Sequence, residues 1–318
     1  MLKTAKTLPP VAERYVDMWA FSNVHPTNID LLQRLKTADD RQFGTNMDVC
    51  GVVSAPEDQT GNWEKSYSVG IRADTWNPDP KELKKLLRLL PKDQASQLRT
   101  RLEQHQTAAA TGATTDLSSI PNLDSNSASL AKRRLVLKLF KASTERIRWL
   151  GTIEQIISRE IQHSMGSKRA LLSFAVILAD YEYVLTINQM HRTLRPPAVY
   201  SCMFFDETEK QPRYVTIERK WTSISADFIV KADGVKIGDI DGHLISLGYN
   251  AKLKLSDPKL GKNRHFVNLL TLFAATVGYH TAMRRSVRAR LRLVTDSRYN
   301  NNIDNEELRL LKNPRGRK

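Results

Sequence analysis

The sequence predicts an α+β protein: antiparallel β elements at both ends, a central basic helical segment, and an apolar C-terminal helix. Three observations predict it. Short β-branched and aromatic runs bounded by turn residues occupy residues 15–73 and 198–255. Between them, apolar residues recur at helical spacing from Val136 to Ile161. Finally, Arg264–Val294 (RHFVNLLTLFAATVGYHTAMRRSVRARLRLV) begins strongly apolar and ends in arginines.

Taken in order, residues 1–106 form an N-terminal α+β region. Tyr15–Val24, Met47–Ser54 and Ser66–Ala73 read as strands, and Asn28–Leu35 as a short capped helix. Pro78–Leu90 opens with proline at an early helical position and carries Lys81, Lys84, Lys85 and Arg88 on its wet side. Pro91 breaks that helix, and Asp93 caps another running to about Gln106. Residues 107–128 hold no Lys, Arg or aromatic residue and are rich in Ala, Thr and Ser. They read as a flexible linker.

Residues 129–195 read as the basic helical segment. Val136, Leu139, Phe140, Ile147, Leu150, Ile157 and Ile161 supply the apolar stripe, Gly166 a C-terminal glycine, and Leu171–Val184 a second helix apolar nearly all round. In residues 196–294 the pattern turns to strands and then to the apolar helix. Asp233-Gly234 between alternating apolar residues is a hairpin signal. Residues 295–318 form a polar, basic tail.

Charge narrows the function. The net +15 and pI near 9.8 favour polyanionic partners. The excess is concentrated: residues 129–195 hold 12 Lys/Arg against 5 Asp/Glu, and residues 262–318 hold 13 against 4. If the two segments meet, they make one basic face. Hydrophobic content of 41% and charged content of 26% exclude a disordered chain. Cys50 and Cys202 are too few for a disulfide framework or a cysteine zinc site. They suit a reducing compartment. The N-terminus lacks the apolar run of a secretory signal, so a cytoplasmic or nuclear protein, not a secreted one, is expected.

The run DFIVKADGVKIGDIDG, the alternating YNAKLKLSD and the apolar helix after them together resemble the end of the tubby C-terminal-like superfamily, which includes LURP-one-related proteins and phospholipid scramblases. The likeness covers residues 198–285. It implies a β-barrel wrapped around an apolar C-terminal helix, with a membrane-surface role. Closing such a barrel requires residues 15–73 to contribute strands. No functional residue is carried over from the resemblance.

Catalytic constellations are sparse. Asp206, Glu218 and Lys220 have the residue types of a D…ExK nuclease, in which two acids hold Mg²⁺ and the lysine positions water. An exposed hairpin edge with alternating charges explains the same residues. Glu160-x-x-His163 is half of a di-metal motif whose second copy is missing, so no metal or other cofactor is expected. Asp180, if buried, needs an arginine partner. Trp19, Tyr67, Trp76, Trp149 and Trp221 are candidates for stacking on bases. No P-loop, nucleophile elbow or dinucleotide fingerprint is present.

In the C-terminal stretch, Phe266, Leu269, Leu270, Phe273 and Val277 share a face, while Ala274, Ala275 and Gly278 permit close approach. Phe266–Met283 is about eighteen residues, marginal for a bilayer, and is interrupted by Asn268, Thr271, Thr276 and His280. A buried core helix is therefore expected. Beyond it, Arg284, Arg285, Arg288, Arg290 and Arg292 exceed what interaction with the helix dipole requires.

The leading expectation is a non-enzymatic nucleic-acid-binding or RNA-binding protein, of the kind found among viral matrix, nucleocapsid or accessory proteins. Phosphate would be contacted by those five arginines with Arg133, Arg134, Lys138 and Lys141. An anionic membrane surface is the second partner class, and a metal-dependent nuclease is the third reading. Homo-oligomerisation is left open.

Overall fold

In the computed structural model the α+β expectation gives way to a closed antiparallel β-barrel threaded by one long helix. The structure describes residues 10–19, 47–56, 63–72, 75–76, 130–131, 133–142, 147–167, 169–191, 197–221, 226–245 and 248–295, with isolated positions 84, 88, 92, 96, 100 and 307. The linker expected at residues 107–128 and the helix at Asn28–Leu35 lie outside the described residues. Lys84, Arg88, Lys92, Ser96 and Thr100 are helical and exposed, on both sides of Pro91.

Twelve described strands make the barrel. They are β1 (Ala12–Trp19), β2 (Met47–Pro56), β3 (Trp63–Arg72), β4 (Val136–Ala142), β5 (Ile147–Gln155), β6 (Ser173–Leu178), β7 (Leu185–Gln189), β8 (Val199–Asp206), β9 (Gln211–Arg219), β10 (Phe228–Ala232), β11 (Val235–Ile245) and β12 (Gly248–Leu255). Each pairs with its neighbours in sequence. β1 closes the ring, with Val16 opposite both Val53 of β2 and Ala251 of β12. Closure leaves no unpaired edge. The β10–β11 turn is the Asp233-Gly234 pair, both in the left-handed region at φ 50° and 83°, as a two-residue hairpin demands.

The helices are α1 (Ile157–Ser164), α2 (Arg264–Thr276) and α3 (His280–Thr295), the last two joined by a 3₁₀ turn at Val277–Tyr279. Asn263 caps α2, its Oδ1 accepting the N–H groups of His265 (3.0 Å) and Phe266 (3.2 Å). Every α2 residue except Arg264 and Asn268 is buried. The helix packs against β1, β4, β5, β6 and β12. Its small residues work as the sequence suggests. A Cβ on Gly278 would stand 2.9 Å from Cβ of Tyr249, and one on Gly151 of β5 would meet Leu272 at 3.0 Å. Of the most apolar window in Arg264–Thr295, 78% is buried, so this stretch is the core of the barrel.

The central basic helical segment is the largest correction. Residues 136–189 are mainly strands β4–β7, and only α1 is helical. The physical reason is burial on both faces. β6 is buried at every position, whereas β12 alternates buried with half-exposed or exposed residues. In β4, Leu137 and Leu139 join the interior cluster, while Phe140 joins an outer one with Val49, Trp149 and Ile177. A strand wetted on neither side loses the period-two pattern.

Phe273 ties the helix to the wall. Its ring lies 5.0 Å from Tyr200, 5.6 Å from Phe228 and 5.9 Å from His280, centroid to centroid. Phe273→Ala is expected to cost about 3–5 kcal/mol in denaturant unfolding. Arg285→Ala, on the exposed side of the same helical run, should stay within about 0.5 kcal/mol of the parent.

Candidate polyanion interface

α3 emerges at the barrel end where β4, β6 and β8 begin. Its inner side presents Met283, Val287 and Arg290, all fully buried. Its outer side presents Arg285, Arg288 and Arg292, all exposed. Spacings of three and four residues put these three on one stripe. Arg284 is half-buried and turns toward the barrel wall, its Nη2 donating to the Tyr200 hydroxyl (3.1 Å) and to Gln189 Oε1 (3.5 Å).

Arg290 is internal. Its Nε donates to Ala131 O at 2.9 Å, Nη2 donates to Arg133 O, and Nη1 lies 3.6 Å from Glu160 Oε2. Glu160, fully buried on α1, also accepts from Gln155 Nε2 (2.7 Å) and Ser173 N (3.3 Å). Burial pushes its carboxyl up to about 8, although Arg290, Gln155 and the Ser173 N–H pull it down. The α1 N-terminus has no cap of its own. Glu307, far along the chain, accepts from the N–H groups of Ile157 and Ser158 and from the Ser158 hydroxyl.

The remaining expected contacts divide. Arg133 is buried, its guanidinium 4.3 Å above the Trp76 ring. Arg134 is buried and paired with Glu154 at 3.0 Å. Lys138 is buried on β4. Lys141 is exposed, 6.0 Å over Tyr67, but stands near the far end of β4, roughly 23 Å along the strand direction from Arg134. The two basic segments therefore do meet, through buried Arg290 against the carbonyls of Ala131 and Arg133 and the Glu160 carboxyl. The exposed cluster that remains is Arg285, Arg288 and Arg292. Among the aromatic candidates, Trp76 and Trp149 are buried, Trp19 and Tyr67 are half-buried, and Trp221 is 74% exposed. Trp221 follows β9 at the end where β9 pairs with the start of β8, the same barrel end as α3.

The nuclease residues are not brought together. Glu218 pairs with Val199 and Asp206 with Gln211, at opposite ends of the β8–β9 ladder and about 23 Å apart. Asp206 caps its turn through Thr208 N (3.1 Å) and accepts from Asn263 Nδ2 (3.3 Å). Glu218 pairs with Lys231, and Lys220 with Asp239. Asp180 is exposed yet held by two arginines, Arg148 at 2.6 Å and Arg264 at 3.4 Å. Among the described residues no group of three His, Cys, Asp or Glu side chains is placed to hold a metal ion.

One feature invisible in the sequence is a buried relay beside α3. Thr276 Oγ1 donates to Phe273 O (2.7 Å), so it accepts from His280 Nε2 (3.0 Å). His280 Nδ1 then accepts from the Tyr200 hydroxyl (3.2 Å), whose oxygen accepts from Arg284. Burial holds His280 well below the ordinary imidazole range, reinforced by the charges of Arg284 and Arg219. The imidazole is neutral, with its proton on Nε2.

Comparison with family models, curated proteins and solved structures finds no match to this chain.

These titrations give stability a two-sided pH dependence. The folded state holds the Glu160 proton more tightly than the unfolded chain, whose ordinary value is 4.5. That contribution is complete below 4.5 and is lost as pH rises to about 8. His280 acts in the opposite sense: its contribution is complete above the ordinary 6.5 and is lost on acidification. Melting temperature against pH should therefore fall from 6.5 toward 8 in the parent. The Glu160→Gln protein should lose that slope, and His280→Asn should flatten the acid limb instead.

Proposed function

We propose that the protein is a non-enzymatic polyanion-binding barrel whose ligand is nucleic acid, contacted through Arg285, Arg288 and Arg292. The observation that carries this reading is the sorting of cations on α3. Those three point to solvent on one stripe, while Arg290 is consumed internally. The stripe runs about 10 Å along the helix axis, enough to meet successive phosphates. Arginine suits phosphate because its planar fork donates two hydrogen bonds at once. Trp221, exposed at the same barrel end, offers an aromatic face for stacking. The net charge of +15 supports fast, long-range capture of such a ligand.

A second reading, an anionic membrane surface, draws on the barrel enclosing an apolar C-terminal helix, the arrangement implied by the tubby-like resemblance. On this reading the charges alone engage lipid, because the apolar helix is enclosed and not available for insertion.

Binding to a single-stranded oligonucleotide, followed by fluorescence anisotropy over a salt series, tests the proposal. Replacing Arg285, Arg288 and Arg292 together by Gln should reduce the slope of log K against log salt by about 2–3. An unchanged affinity and slope would sink the reading. Flotation with anionic but not neutral liposomes, coupled with no oligonucleotide binding, would favour the membrane alternative.

A further inference from the structure

A second anion site lies at the same barrel end, separate from the exposed arginine stripe. A small cleft opens where β6 and β8 begin and β7 ends, with Arg169 and His191 at its rim and Gln189 among its lining. Leu171, Met190 and Pro197 supply its apolar wall. Both rim side chains are exposed. Gln189, largely buried, connects the cleft to Arg284, since its Oε1 accepts from both Leu172 N (3.3 Å) and Arg284 Nη2 (3.5 Å). On the other side, the backbone of Ala198, also in the lining, accepts from Arg219 N at 2.9 Å.

Arg219 and Arg284 are both half-buried at this barrel end, and Arg284 stands one hydrogen bond from the cleft lining, through Gln189. Among the described residues, neither Arg219 nor Arg284 forms an ion pair with a carboxylate. Several other half-buried or buried cations of this chain are neutralised: Arg134 by Glu154, Lys231 by Glu218 and Arg213 by Asp233. A partly desolvated guanidinium without a counter-charge is costly, and an oxyanion relieves that cost. The relay through Tyr200 and His280 holds Arg284 from behind, because the neutral imidazole accepts the Tyr200 hydroxyl's hydrogen bond and leaves the phenol oxygen to accept from the arginine. That positioning fixes the guanidinium before any ligand arrives.

The geometry points to this cleft as a binding site for a small oxyanion of the phosphate-monoester type, gripped by Arg284 and Arg169 with His191 at the rim and the ester's apolar part against Met190 and Pro197. The site is independent of the polymer-binding stripe, since Arg285, Arg288 and Arg292 face away from it on the outer side of α3.

Titrating the full-length protein with inorganic phosphate by calorimetry tests the assignment. Arg169→Gln, at an exposed position, and Arg284→Gln should each weaken binding by about tenfold or more. Circular dichroism should first show that both variants are folded. The triple Gln variant of α3 should bind phosphate like the parent. Vesicles of phosphatidylcholine with and without phosphatidic acid separate the sources. Binding to the acidic vesicles that inorganic phosphate displaces identifies a lipid headgroup, and phosphate binding without such displacement identifies a free small anion. The assignment is overturned if the parent binds no phosphate, if both Arg169→Gln and Arg284→Gln bind it unchanged, or if the α3 triple variant loses it. Because the probe is not nucleic acid, failure here leaves the oligonucleotide result standing, and the reverse also holds.

Discussion

Everything in this molecule depends on enclosing an apolar helix inside a closed sheet. α2 has almost no wet side, and each strand buries at least one face against it or its neighbours. Neither part satisfies itself alone. A helix as apolar as LLTLFAATV needs a dry sleeve, and a barrel of twelve strands is too wide to be filled by its own side chains in the manner of an eight-stranded one. The helix is the filling. Its small residues set how closely the wall approaches, as where Tyr249 rests against Gly278.

The exit of the helix is governed by different physics. At the barrel end the apolar seam thins, and polar groups take over the fastening. Arg290 donates to two carbonyls and lies beside the buried Glu160 carboxyl, joining α3 to α1 and to the chain entering β4. Removing one member of such a set leaves a buried charge unpaired, so the cluster acts as a unit. The Arg284–Tyr200–His280–Thr276 relay is a second fastening a turn and a half earlier. The two sets hold α3 in one rotational setting. That setting decides which arginines face water.

Legibility of the sequence followed wetness. Strands with one wet face, such as β1, β11 and β12, show alternation and turn residues and are readable directly. The apolar C-terminal helix is readable from its length and small residues. β4 to β6 are not, because they are largely buried on both sides and their apolar residues fall by chance at helical intervals. VLKLFKA is short enough to satisfy either period. The relay and the Glu160–Arg290 contact join residues 80 and 130 positions apart, and no local pattern announces a partner at that range.

The arginines were more legible than their number suggests, provided helical phase is respected. On an α-helix Arg290 falls within roughly 20° of Met283, in the middle of the apolar seam. Arg285, Arg288 and Arg292 fall within about 60° of one another on the opposite side. A count of five cations in nine residues therefore describes composition, whereas the wheel separates three solvent-facing arginines from one internal bolt and one residue, Arg284, at the seam's border. The same reasoning applies to Arg133, Arg134 and Lys138. Once the start of β4 is recognised as buried on both faces, Lys138 and the two arginines just before the strand must be internal too, while Lys141 at its far end reaches solvent. A strongly basic composition thus overstates the surface field wherever the fold spends its cations as fasteners, and the charge that reaches solvent is the part that helical or strand phase leaves outside.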